Sequence, residues 1–123
     1  MSYKKLEIYH LAREISIQIH KMSRDKLPSF EMYEEGSQIR RSSKSTRHNI
    51  VEGYGRRRFM NEYAKFLTYS AASNDETRDH LETLMETGSL TDKDLYMELM
   101  SKINRLGAML NSYLLSIIQN QHE

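Results

Sequence analysis

A chain of 123 residues, 38% hydrophobic and 28% charged, is long enough for one packed core, too short for two, and excludes a disordered polymer. It contains no cysteine, which excludes disulfides, thiolate metal sites and cysteine nucleophiles and fits a reducing cytoplasm. The formal net charge of +1 hides a segregation: residues 1–37 balance, residues 38–58 carry +6, and residues 59–123 carry −5.

The opening MSYKKLEIYHLAREI has no uninterrupted apolar stretch, and no run of about 18 apolar residues occurs anywhere. Neither secretion nor a membrane partner is expected, and the chain is expected in the cytoplasm. One proline and five glycines leave few places to reverse direction, which predicts a few long helices in a single domain over residues 1–123.

The first predicted helix, Lys5 to Ser23, sets Leu6, Ile8, Leu11, Ala12, Ile15, Ile19 and Met22 on one stripe. Steps of three and four are the signature of an amphipathic helix. Pro28 interrupts it, because proline lacks an amide proton and pushes its predecessor out of helical angles.

A second helix is expected from Met32 to Gly53. Its inward stripe, Gln38/Ile39, Ser42/Ser43, Thr46, Ile50 and Gly53, is small and polar for a core, which suits a central helix with close neighbours. Gly53 and Gly55, on either side of Tyr54, are the expected stop, since glycine takes left-handed angles cheaply.

The third helix, Asn61 to Thr87, carries Tyr63, Phe66/Leu67, Ser70, Asn74, Thr77, Leu81 and Leu84 at bundle-seam spacing. Gly88 reads as its C-terminal cap, and Thr91 with Asp94 as a capping box opening the next helix. That fourth helix, Asp92 to Gln119, has one seam through Leu95, Leu99, Ile103, Leu106, Leu110, Tyr113 and Ile117. A second stripe follows Tyr96, Met100, Ile103, Gly107, Leu114 and Ile118. Two stripes mean a wide core contact or a subunit interface. Short connections predict an all-α, antiparallel up-down-up-down four-helix bundle.

Little in the sequence points to catalysis. A carboxylate-bridged metal pair in such a bundle needs two Glu-x-x-His motifs, and only Glu7–His10 has that spacing. His48 with Glu52 and Glu76 with His80 have ordinary helix-surface spacing. Ser42, Ser43 and Ser45 sit on no nucleophile-elbow pattern, and GYGRRR lacks the Gly-Lys-Ser/Thr of a phosphate loop. No enzymatic activity, metal, cofactor or small-molecule substrate is expected.

The stretch SQIRRSSKSTRHNIVEGYGRRR, Ser37 to Arg58, carries seven basic residues and a single acid, Glu52. Arg40, Lys44 and Arg47 share a helix face, where like charges repel by roughly 0.2–0.5 kcal/mol per pair. Solvent, acids on a neighbouring helix, or phosphates must offset that. Arg56, Arg57 and Arg58 follow the glycine stop as an exposed positive knob, beside Tyr54 for stacking on a base. Two readings stay open: a solvated face paired with the acidic third and fourth helices, or a surface for RNA or DNA.

Gln38-Ile39-Arg40-Arg41, Ser45 and Asn49-Ile50-Val51-Glu52-Gly53-Tyr54-Gly55-Arg56-Arg57 resemble the signature of the 23S rRNA intervening-sequence protein family. Leu6-Glu7-Ile8-Tyr9, Glu62-Tyr63-x-x-Phe66-Leu67 and Glu76 to Leu81 with Gly88 extend the resemblance over about residues 3–118. It departs at Thr46-Arg47-His48, where the family usually has a proline, at Ser42-Ser43 for Ala-Ala, and at Glu34-Glu35 for Gly-Leu. The resemblance implies a non-enzymatic antiparallel bundle that assembles as a homopentamer. A related branch, the accessory variability proteins of diversity-generating retroelements, binds nucleic acid through a basic barrel.

The resemblance also divides the basic stretch. It implies structural roles for Gln38, Arg41, Asn49, Glu52 and Gly53, with Arg41 partly buried opposite a glutamate. Arg40, Lys44, Arg47, Arg56, Arg57 and Arg58 are left for phosphate contact. A scaffold protein whose basic patch meets an acidic partner is the alternative.

Overall fold

The structure, a computed structural model, describes residues 2–121. Among them are four long helices and no strand: α1 Glu7–Asp25, α2 Glu35–Gly55, α3 Met60–Glu86 and α4 Lys93–Gln121. Short 3-10 turns, Tyr3–Lys5 and Ser29–Tyr33, precede α1 and α2. Helix contacts run α1–α2, α2–α3, α3–α4 and α4–α1, which closes a four-helix bundle around one core.

The helix ends fall within a few residues of expectation, and the starts of α1, α2 and α4 have local causes. The α1 helix starts at Glu7 rather than Lys5, because Ser2 Oγ accepts the Lys4 amide (3.1 Å) and holds the preceding residues in a tight turn. The α2 helix starts at Glu35 rather than Met32. There the Glu31 carboxylate is buried, accepting the Glu35 amide (3.1 Å) and the Ser89 hydroxyl (2.6 Å). This ties the start of α2 to the α3–α4 connection. The cap of α4 is Asp92, whose Oδ1 accepts the Leu95 amide (3.0 Å), instead of the Thr91 and Asp94 pair.

Glycine acts differently at the two helix ends. Gly88 has φ +82° and caps α3 as expected; it is the one described residue with such an angle. Gly53 is no stop. It lies inside α2, where a Cβ would stand 3.2 Å from both Phe66 Cβ and Tyr63 Cδ1. Its smallness lets α3 approach, which is a packing reason rather than a turning one.

The core follows the predicted stripes closely. From α1 come Ile8, Leu11, Ala12, Ile15, Ile19 and Met22; from α3, Tyr63, Leu67, Leu81 and Leu84; from α4, Leu99, Ile103, Leu106, Leu110 and Ile117. Burying each large aliphatic side chain contributes roughly 1.5–3 kcal/mol. The α2 helix adds only Ile39, Ile50 and Tyr54 as large apolar groups.

Hydrogen bonds replace bulk along the rest of α2. Ser42 Oγ meets Thr77 Oγ1 (2.8 Å), Ser45 Oγ meets Ser73 Oγ (2.9 Å), and Ser70 Oγ donates to the Thr46 carbonyl (2.7 Å). Asn74 Nδ2 continues the network to the Ile103 carbonyl of α4 (3.0 Å). Among the described residues no buried side-chain nitrogen or oxygen lacks a partner, so the polar seam avoids the cost of orphaned groups.

Candidate nucleic-acid interface

The basic stretch falls into three places. Along the α1–α2 seam, Arg40 and Arg47 are half-buried and held. Arg40 Nη1 donates to Ser23 Oγ (3.0 Å) and Nη2 to the Met32 carbonyl. Arg47 Nη2 donates to the Tyr9 hydroxyl (3.1 Å), with the guanidinium carbon 5.5 Å from the centre of the Tyr9 ring. Lys44 stands between them, exposed, with no hydrogen bond or ion pair among the described residues.

At the end of α2, the three consecutive arginines are exposed but not equivalent. Arg56 is clamped: Nη2 meets Glu52 Oε1 at 2.8 Å, Nη1 meets Glu62 Oε1 at 3.2 Å, and the group lies 4.8 Å over Phe66. The hydrogen bond to Glu52 raises its pKa further above the ordinary arginine value. Glu62 is held below the usual carboxylate range by its bond to Lys65 first, then by the charges of Lys65 and Arg56. Arg57 folds back, donating Nη1 to the Tyr54 carbonyl (2.9 Å) and lying 4.1 Å over the Tyr54 ring. Arg58 lies over Phe59 at 5.2 Å and has no carboxylate partner.

Tyr54 is therefore unavailable for a base. It is 7% exposed and packs edge-on against Tyr63 at 6.4 Å. The exposed ring at this end is Phe59.

The expected division of roles is reversed at two positions. Arg41 is exposed and bonds only Gln38 Oε1, one turn back (3.2 Å), with no glutamate opposite it. Gln38 and Glu52 are exposed as well. Within the chain the arginine that stitches helices is Arg40, not its neighbour, because successive residues on a helix point about 100° apart. Asn49 is half-buried and satisfied locally, donating to the Ser45 carbonyl (2.9 Å). Gly53 keeps a structural place through packing.

A groove of about 410 Å³ opens between α1 and α2. Lys44, Arg47 and His48 line it from one side, and His20, Lys21 and Arg24 from the other, over a floor of Ile17 and Ser16. Sequence reasoning does not single out the three α1 residues or His48. Their three- and four-residue spacing was visible, but which face of α1 meets which face of α2 is a tertiary matter.

Outside the stretch some basic side chains are paired, whereas others, Lys21 and Arg105 among them, have no carboxylate partner among the described residues. Lys102 Nζ meets Glu14 (2.8 Å) and Glu98 (3.2 Å), Arg78 meets Asp75 (3.0 Å), and Lys65 meets Glu62 (2.7 Å). Of the basic stretch, Arg56 alone has a carboxylate partner among the described residues.

Fold and surface together define a small all-α bundle protein with a cationic seam on one side. The family model described as 23S rRNA-intervening sequence protein matches residues 4–112, and the chain belongs to that family. A crystal structure of a protein of unknown function from the S23 ribosomal protein family of Bacteroides thetaiotaomicron VPI-5482 has a similar fold. Its TM-score is 0.75 at 20% identity, covering 87% of this chain and 94% of that one. No curated protein matches the chain. No described helix is long and apolar enough to cross a membrane.

Proposed function

We propose that this chain is a non-enzymatic, cytoplasmic protein that presents the basic surface of α2 and its following loop to RNA or DNA. One observation carries the reading: Arg40, Arg41, Lys44, Arg47, Arg57 and Arg58, clustered along α2 and its following loop, have no carboxylate partner among the described residues. Clustered unpaired cations lower the electrostatic potential energy of a polyanion and steer its approach. Contact is with phosphates rather than base edges.

The bundle is antiparallel and up-down-up-down. The residue pairs support that order: Ser42 with Thr77 but Thr46 with Ser70, and Tyr63 with Tyr113 but Asn74 with Ile103. It assembles as a homo-oligomer, a pentamer on the family resemblance. Supporting this, Tyr96, Met100 and Leu114 are only half-buried and Ile118 is exposed, so the second stripe of α4 is unfinished in a single chain.

Anisotropy of a labelled single-stranded RNA, titrated at several salt concentrations, tests the reading. Binding should weaken with salt at a log–log slope of about −0.7 per phosphate neutralised. Absence of RNA and DNA binding at low salt, with retention of an acidic protein instead, would favour the scaffold alternative.

A further inference from the structure

We infer that the groove between α1 and α2 is a phosphate-binding site in which Lys21, Arg24 and Lys44 are the contacting cations and Arg47 is a fixed wall. The inference deepens the nucleic-acid reading and rests on it for the identity of the polymer. Six basic or imidazole side chains converge on this groove from two helices, and no acidic residue lines it. Its volume, about 410 Å³, lies within the range of roughly 300–1,000 Å³ common for ligand sites.

Convergence of like charge is unfavourable without a counter-charge. The bundle had room to avoid it, since Lys102 on the α1–α4 side is surrounded by Glu14, Glu98 and Gln18. Here Lys21 and Lys44 have no hydrogen bond or ion pair among the described residues. Arg24 has one, Nε to Asp25 Oδ1 at 3.0 Å. That carboxylate lines the adjoining hollow, which Lys21 also borders, rather than the groove, so Lys44 is the groove cation furthest from a counter-charge. Arg47, tied to Tyr9, is held in place before any ligand arrives, so less side-chain freedom is lost on binding.

The groove also outranks the arginine knob as a phosphate site. There Arg56 is neutralised by two glutamates and Arg57 is folded onto Tyr54. No Phe, Tyr or Trp ring lines the groove, and its only rings are the His20 and His48 imidazoles, so the strand is held chiefly by phosphate rather than by base stacking. Oligouridine and oligoadenosine should bind alike.

The test uses the full chain, inorganic pyrophosphate and labelled single-stranded RNA. Pyrophosphate should shift the imidazole NMR signals of His20 and His48, and Lys21→Ala with Lys44→Ala should abolish the shift. In the same variant the RNA salt slope should become shallower by about 1.4, at about 0.7 for each lost contact. Arg57→Ala with Arg58→Ala should leave the pyrophosphate shifts unchanged. Lys21 and Lys44 are exposed helix positions where alanine is well tolerated; Lys21→Gln with Lys44→Gln is the second variant, and melting checks both.

RNA binding that survives the groove variants and is lost in the knob variant overturns the groove and leaves the nucleic-acid reading intact. A pyrophosphate response without RNA binding keeps the groove and ends that reading. RNA binding lost in the groove variants, with no pyrophosphate response in the parent, identifies a phosphodiester strand rather than a free phosphate compound as the ligand. No response to either probe overturns both.

Discussion

Arg40 and Arg41 are neighbours in sequence with opposite fates. Arg40 reaches across to Ser23 and the Met32 carbonyl, while Arg41 faces solvent. Arg47 repeats the pattern of Arg40 at Tyr9. Arg47→Ala should lower stability in urea by about 1–2 kcal/mol, from one hydrogen bond and one cation–ring contact. Arg41→Ala should leave the melting of a single chain unchanged; a concentration-dependent loss would put Arg41 between subunits instead. Alkaline pH probes two other residues. Burial, then the hydrogen bond it donates to Tyr113, holds the Tyr63 phenol well above the ordinary tyrosine range. The hydrogen bond to Glu14 raises Lys102 likewise. Both groups keep their protons longer folded than unfolded, so their contribution is whole below about pH 10 and is lost as pH rises through the folded values. The urea midpoint should fall as the solution becomes strongly alkaline, and Tyr63→Phe should reduce the fall.

Among the elements, α2 is unusual because it sits against its neighbours through small hydroxyl side chains and one buried glycine. Ser42, Thr46 and Ser70 are each at most 3% exposed; the Ser42 hydroxyl meets Thr77 and the Ser70 hydroxyl donates to the Thr46 carbonyl across the α2–α3 seam, while the Thr46 hydroxyl donates back to the Ser42 carbonyl. Such a seam has no room for bulk. Thr46→Leu should destabilise by about 1–3 kcal/mol through overpacking, and Gly53→Leu should do at least as much because Phe66 and Tyr63 already stand 3.2 Å from a built Cβ. Thermal melting of both variants checks this, and unchanged melting would mean that α3 moves aside at little cost. The small-residue stripe was legible as an oddity in the sequence. That it faces α3 specifically was not, since the pattern names a close neighbour without saying which.

For the whole molecule, the expectation concerns assembly. The second stripe of α4 ends in an exposed Ile118 beside an exposed Leu115, an apolar edge that subunit contact would cover. Light scattering should give the mass of an oligomer, and Leu115→Glu with Ile118→Glu should reduce it toward a single chain without loss of helical content. An unchanged mass in that variant would move the interface elsewhere. The same measurement, read with the ultraviolet absorbance ratio, reports nucleic acid that copurifies with the assembly.

Helix number, the apolar stripes of α1, α3 and α4, and the cap at Gly88 were determined by the sequence alone. Periodicity and glycine chemistry are local properties, and local order along a chain survives folding. The family signature from Gln38 to Arg57 was equally legible, because it is a pattern of residue types. Only the tertiary structure decided which cations are free. It tied Arg40 and Arg47 to α1, clamped Arg56 between Glu52 and Glu62, buried Tyr54, and brought Lys21 and Arg24 to face Lys44. Those outcomes depend on the rotation of each helix about its axis against its neighbours. That rotation is set by the sum of packing over the whole core, which no short stretch of sequence contains.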